Sequence, residues 1–179
     1  MKELSLNILD VAKNSVTAGA KNVRISLVTD SDGWLSLTIK DDGCGMTEEV
    51  VRNVTNPFYT TRTTRRVGLG LPLLKLASEQ TGGRLELSSS VDEATHGTTL
   101  TATFDTKSID FMPLGDIIST VCILIAGSPE IDFLFEDVNE AHSVRLDTRE
   151  LREVLGTDIS LAEPEVQTWM AEYLKEQYA

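Results

Sequence analysis

Asp41-Asp42-Gly43-Cys44-Gly45-Met46 is the stretch on which the fold turns. It follows Trp34-Leu35-Ser36-Leu37-Thr38-Ile39, whose alternation of apolar and polar residues predicts a strand. A strand that ends in an acid and then places two glycines one residue apart predicts a tight turn. Glycine permits φ > 0 and lets backbone come close to a ligand. A half-buried acid at the strand end offers an acceptor to a donor such as the exocyclic amine of adenine. Standing alone, an Asp-Gly pair is more often a plain hairpin turn. Its meaning depends on the surrounding chain.

Upstream, Leu6, Leu9, Val11, Ala12 and Val16 space an amphipathic helix over 4–18, with Gly19 as its stop. Val23, Ile25 and Leu27 alternate in a strand over 22–30, and Asp30-Ser31-Asp32-Gly33 turns it into the strand at Trp34. Downstream, Thr47 is an N-cap candidate for a short helix over 47–54, with Glu48 and Glu49 favourable in its first turn. Residues 56–67 are rich in hydroxyls and arginines and read as a loop. Gly68-Leu69-Gly70-Leu71 then opens a helix over 72–80, with Pro72 suited to its first turn and Gly82-Gly83 at its end. Residues 84–90 and 98–104 alternate again as paired strands. To about Lys107 the order α-β-β-α-loop-α-β-β predicts a two-layer α/β sandwich with helices on one sheet face.

Residues 108–179 read as a second, small α+β region beside the 1–107 domain. An apolar helix is expected over 117–126, short strands over 131–136 and 143–146, and a helix from Asp147 with Glu150 completing a capping pattern. Pro164 starts a last helix carrying Trp169, Met170, Tyr173 and Leu174. The expected use of this region is to cover a sheet edge, or to offer a surface to a protein partner or to a second copy in a homodimer.

The 179 residues suffice for a substantial core, and 41% hydrophobic with 25% charged residues is an ordinary globular composition. Sixteen basic against 28 acidic residues give a net charge of −12. That balance argues against a nucleic-acid surface, though not against a local basic pocket. Two cysteines, Cys44 and Cys122, and two histidines, His96 and His142, show no metal-ligand spacing. Both cysteines are expected reduced, Cys44 as a small buried filler, and both histidines on the surface. The longest apolar run is too short to span a bilayer. A cytoplasmic protein is therefore expected, with no membrane partner.

The chemistry-bearing residues fall in a fixed order. Asp10 and Asn14 stand at i, i+4 on one helix face, where an acid and an amide can hold a divalent cation beside phosphates. Asp41 with Gly43, Gly45 and Met46 follows. Asn56-Pro57-Phe58-Tyr59-Thr60-Thr61-Arg62, then Arg65 and Arg66, place forked guanidinium donors in a loop. Gly68-Leu69-Gly70-Leu71 runs into a helix N-terminus, which favours anions. Gly97-Thr98 begins a late strand. Each element by itself reads as solvated surface or an ordinary turn; the ordered set is far more specific.

That set resembles the GHKL superfamily of gyrase, Hsp90-type chaperones, histidine kinases and mismatch-repair proteins. Leu9-Asp10-Val11-Ala12-Lys13-Asn14-Ser15-Val16-Thr17-Ala18-Gly19-Ala20 is similar to its N-box helix. DDGCGM, NPFYTT, GLGL and Gly97-Thr98 resemble its later boxes. The likeness covers about residues 4–104 and implies a Bergerat-type site for ATP and Mg²⁺. Asn14 would coordinate Mg²⁺, with Lys13 beside it. Asp41 would accept the adenine amine within walls shaped by Gly43, Gly45 and Met46. Gly68, Leu69, Gly70 and Leu71 would bring backbone to the phosphates, and Thr98 would line the pocket. Phe58, Thr60, Thr61 and Arg62 belong to the box that leads into a lid over residues 53–67. Among Arg62, Arg65 and Arg66 the phosphate contact stays open.

One departure bears on the reaction. Hydrolysing members of the superfamily carry a glutamate as general base where Asp10 stands, and aspartate is one methylene shorter. The resemblance therefore implies binding more firmly than hydrolysis. Neither histidine falls in a phosphoacceptor-like helix, and none precedes the N-box helix in these residues. Three uses of the site are expected, in this order. The first is a kinase acting on Ser or His of a separate signalling partner. The second is a nucleotide-gated binding module with little catalysis. The third is a dimer-driven ATPase.

Overall fold

The structure, a computed structural model, describes residues 3–58 and 69–179. Twelve elements follow in chain order: α1 Leu4–Thr17, β1 Asn22–Thr29, β2 Trp34–Asp41, α2 Glu48–Asn53, α3 Gly70–Gln80, β3 Leu85–Ser90 and β4 Gly97–Asp105. Then come α4 Ile117–Gly127, β5 Asp132–Val138, β6 Ser143–Asp147, α5 Thr148–Leu155 and α6 Pro164–Tyr178. The six strands form one sheet in the order β3-β4-β2-β1-β5-β6.

Strand alternation sets the layers. Val23, Ile25 and Leu27 of β1, Leu35, Leu37 and Ile39 of β2, and Leu100, Ala102 and Phe104 of β4 are all buried on one face. Against it α3, α1, α4 and α6 lie side by side. Leu4, Ile8, Val11 and Ala12 come from α1, Leu74 and Ala77 from α3, Val121 and Ile125 from α4, and Met170 and Leu174 from α6. The opposite face, with Ser26, Ser36, Thr38 and Thr101, is only half-buried and polar. This is the expected α/β sandwich with helices on one sheet face.

The region after residue 107 is built into the first sheet. Its strand β5 pairs parallel to β1, Ile25 opposite Phe135, and β6 pairs antiparallel to β5. It therefore extends the first sheet and covers the β1 edge, which satisfies backbone groups that an edge strand leaves open. Parallel pairing requires a crossover, and α4 supplies it on the helical face. Lys21 carbonyl accepts from Asp132 N–H at 2.9 Å, and Pro113 carbonyl from Leu4 N–H at 2.9 Å, which ties the segment before α4 and the start of β5 to the first domain.

Local signals hold at most element ends. Thr47 caps α2 by accepting from Val50 N–H, and Asp147 caps α5 by accepting from Arg149 N–H. α3 starts at Gly70, two residues before the expected start at Pro72. Proline is tolerated anywhere in a first turn, because the N–H it lacks has no intrahelical acceptor there.

Candidate nucleotide site

α1 presents two faces at once. Asp10, Lys13 and Asn14 are exposed, while Ser15, one residue on, is 4% exposed and points at the sheet. Its hydroxyl donates to Asp41 Oδ2 at 2.6 Å. The other oxygen, Oδ1, accepts from Gly43 N–H at 2.9 Å. Both donors fix the carboxylate at the end of β2 in one rotamer, and each oxygen keeps a second lone pair for a ligand donor.

The neighbouring acid does different work. Asp42 Oδ1 accepts from Lys21 and Asn22 N–H at 2.8 and 2.9 Å, and Oδ2 accepts from Asn22 Nδ2 at 2.8 Å. Burial pushes its carboxyl up, but these hydrogen bonds, the Asn22 side chain's first, outweigh it and hold the pKa below 3.8. Asp42 anchors the turn to the start of β1 and leaves Asp41 to face the site.

The glycines do what close backbone approach requires. Gly45 has φ +74°, and a Cβ there would collide with the Ser90 carbonyl; Gly97, at φ +141°, would collide with the Asp41 carbonyl. A Cβ at Gly43 would lie 2.8 Å from Ala18 Cβ. The turn after β2 is thus pressed against α1 on one side and the β3–β4 end on the other. Met46 N–H donates to Ser89 Oγ at 2.8 Å, and Ser89 Oγ donates to the Gly97 carbonyl at 2.9 Å. Thr98 Oγ1 lies 2.7 Å from Ser89 Oγ, and Thr98 stands opposite Asp41 in the β2–β4 register. Met46, Thr98 and Asp41 thereby share one wall.

The phosphate end is built by α1 and α3. A Cβ on Gly70 would sit 3.4 Å from Asp10 Cβ, so the α3 N-terminus lies against the exposed acid of α1. Helix-opening N–H groups lack intrahelical acceptors and attract anions. In α3 these are the groups of Gly70 and Leu71, since Pro72 has none. Leu71 turns its side chain into the core and Leu69 is half exposed. Phe58 is 89% exposed, so its ring does not pack into the site among the described residues. Thr60, Thr61, Arg62, Arg65, Arg66 and Gly68 lie outside the described residues.

Three participants had escaped the sequence reading. Ser15 and Ser89 position Asp41, Met46 and Thr98. His96 Nδ1 lies 2.7 Å from the Gly43 carbonyl, which can only accept, so Nδ1 carries the proton. The one signal was Ser15 itself, a hydroxyl on the buried stripe Leu4-Ile8-Val11-Ala12. Cys44 is exposed and not the buried filler expected, because its N–H, donating to the Ala18 carbonyl, turns the side chain outward. His142 is half-buried rather than on the surface, against Tyr178.

The profile of the family described as histidine kinase-, DNA gyrase B- and HSP90-like ATPases matches residues 1–108. The chain belongs to this family. The match takes in α1 to β4, every element of the site just described. The C4-dicarboxylate transport sensor protein DctB of Pseudomonas aeruginosa is 29% identical over 94 residues, 51% of this chain and 15% of that protein. The signal transduction histidine-protein kinase AtoS of Escherichia coli is 36% identical over 73 residues, 41% of this chain and 12% of that one. Sporulation kinase E of Bacillus subtilis is 30% identical over 95 residues, 53% and 13%. The chain spans 12–15% of the lengths of these three relatives. The Aquifex aeolicus MutL ATPase domain complexed with ADP shares the fold at 16% identity and a TM-score of 0.54, over 88% of this chain and 70% of that one.

The chain is thus an ATP-binding GHKL-type domain, related at low identity to sensor histidine kinases. Domains of this family generally bind ATP with Mg²⁺, and the residues present fit that pair. Gly45 and Gly97 let the turn after β2 pack backbone to backbone beside Asp41, and Asp41 offers a fixed acceptor. Mg²⁺ takes oxygen ligands and keeps phosphates and waters in its shell, so one or two protein oxygens suffice. Asn14 and, one turn away beside the α3 N-terminus, Asp10 carry side-chain oxygens of that kind on the exposed face of α1. No described helix is long and apolar enough to cross a membrane.

Proposed function

We propose that this domain binds Mg-ATP and passes its γ-phosphoryl group to a Ser or His on a protein partner, in bacterial signalling. The observation that supports this reading most is the constellation Asp41, Gly45, Gly70 and Asn14, in a family whose matched relatives are sensor kinases. Asp41 would take the adenine amine, and Gly43, Gly45, Met46 and Thr98 would enclose the base. The N–H groups at the start of α3, with Gly68 and Leu69 before it, would hold the phosphates. Lys13, Phe58, Thr60, Thr61 and Arg62 would close the site. Asn14 would orient Mg²⁺, which supplies charge neutralisation on the phosphates when bound. Neither histidine lies on a helix, so a histidine acceptor would stand on the partner.

Calorimetry of ATP and ADP with Mg²⁺ tests the binding half, in wild type and in Asn14→Ala and Asp41→Asn. Unchanged affinity in both variants would remove the site assignment. Incubation with γ-labelled ATP and candidate partner proteins tests the transfer half. Label on a partner, lost in Asn14→Ala, supports the kinase.

Asp10 favours a second reading. A shorter carboxylate in place of the glutamate base suits a module that senses ATP and gates partner binding without turnover. ATP binding that changes partner affinity, with no label transferred, would establish that reading and end the first.

A further inference from the structure

A cavity of about 490 Å³ opens at the end of the sheet opposite Asp41. Leu35 on its wall and Asp41 are six residues apart on β2, about 20 Å of strand, so this is a separate site. Its volume falls within the roughly 300–1,000 Å³ of small-molecule pockets. Leu27, Leu35, Phe111, Leu114, Ile117 and Ile118 make an apolar wall. The polar end carries Asp137, Asn139, His142 and Tyr178, with Asp116 at the rim, and no lysine or arginine lines the cavity among the described residues.

Asp137 is the decisive group, at 5% exposure. Its Oδ2 accepts from Tyr178 OH at 2.7 Å. Its Oδ1 lies 3.4 Å from His142 Nε2. Whether that nitrogen donates is set by Asn139. Asn139 Oδ1 accepts from the N–H groups of Ala141 and His142 at 2.8 and 3.0 Å, which fixes the amide orientation. Asn139 Nδ2, a donor only, therefore faces His142 Nε2 at 3.2 Å and requires it to be the acceptor. With Nε2 turned to the Asn139 amide, its 3.4 Å approach to Asp137 Oδ1 makes no hydrogen bond. Among the described residues Asp137 Oδ1 takes no hydrogen bond, at the polar end of an apolar pocket. Such a carboxylate oxygen favours a donor that also brings positive charge.

We propose that this cavity binds a small organic cation, an ammonium head on Asp137 Oδ1 with an apolar body against Leu27, Leu35, Leu114 and Ile117. An anionic ligand of the same size meets Asp137 and Asp116, and no lysine or arginine among the described wall residues offsets them.

Titration of the full chain with 2-phenylethylammonium and, separately, 3-phenylpropionate tests this, followed by calorimetry and by Leu and Ile methyl NMR. The ammonium is expected to shift the methyls of Leu27, Leu35 and Ile117, with the carboxylate weaker by about tenfold or more. Asp137→Asn should lower ammonium affinity by about tenfold, and Leu114→Trp, which fills the cavity from a half-buried wall position, should abolish binding. The proposal is overturned by any one of three results. These are no methyl shifts with millimolar ammonium, equal affinity for the two probes, or ammonium binding retained in Leu114→Trp. The last holds even if Asp137→Asn does not fold.

Discussion

Ser15 Oγ reaches Asp41 Oδ2 across 2.6 Å, from one helix turn to the end of a strand 26 residues away. The bond joins the two halves of the site. Asn14 is exposed on α1 while Ser15, next to it, is buried, so a single helix carries the proposed metal-side residue and the support for Asp41. Losing a partner to a half-buried carboxylate costs on the order of 1 kcal/mol. Ser15→Ala is expected to weaken ATP and ADP about three- to tenfold alike, with or without Mg²⁺. Asp41→Asn should weaken both more strongly, because the amide presents a donor where adenine brings one. Equal affinity of Asp41→Asn and wild type in calorimetry would sink the adenine assignment.

Gly45 separates backbone constraint from chemistry. Alanine there is strained twice, by φ +74° and by the Ser90 carbonyl, which belongs to a paired strand and cannot move aside cheaply. Gly45→Ala is expected to cost more than about 1 kcal/mol in urea unfolding and to abolish nucleotide binding. Cys44→Ala next door, exposed, should stay within about 0.5 kcal/mol of wild type. A Gly45→Ala protein as stable as wild type would show that the turn has another conformation.

Asp10 carries the question of turnover. It lies against Gly70 at the start of α3, where developing charge on a phosphate would be stabilised, but its carboxylate is short. Asp10→Glu is expected to raise phosphate release, by about tenfold or more if a positioned base is all that is lacking. Asp10→Asn should leave ATP affinity within a few-fold of wild type. Phosphate release already fast in wild type and lost in Asp10→Asn would instead make aspartate the base.

The chain's pattern made most of this legible. Period-two runs gave β1, β2 and β4, Gly19 and Gly82 marked helix ends, and the order from Asp10 through Asp41 to Gly70 carried the family resemblance. Sequence alone could not show that β5 lies beside β1, because parallel pairing over 110 residues leaves no local trace. Nor could it show Ser15 reaching Asp41, since a lone serine on an apolar stripe carries no sign of its partner. His142 was misread for the same reason. Its burial is set by Tyr178 on α6, which closes over it only when the last helix docks.

Asp147 offers a test of the C-terminal region by acid. It is buried, caps α5 through Arg149 N–H, and takes both Arg149 Nε at 3.0 Å and Arg149 Nη2 at 2.8 Å. Arg145 Nη2 adds a contact at 3.2 Å. The Arg149 side chain foremost, against an opposing push from burial, holds its carboxyl below the ordinary 3.8. The native state therefore binds fewer protons than the unfolded chain between those two values. The stabilisation is complete above about pH 4 and drains away as pH falls through the folded value. Asparagine is also a good N-cap, so Asp147→Asn removes the charge and keeps the cap. Its denaturation midpoint should fall below wild type at pH 7, and the gap should narrow as pH falls below about 4. Asp147→Ala loses the cap as well, about 1 kcal/mol more at pH 7. A wild-type midpoint that stays equally far above Asp147→Asn from pH 7 to pH 2 would show that the arginine contacts do not depend on the carboxylate's charge.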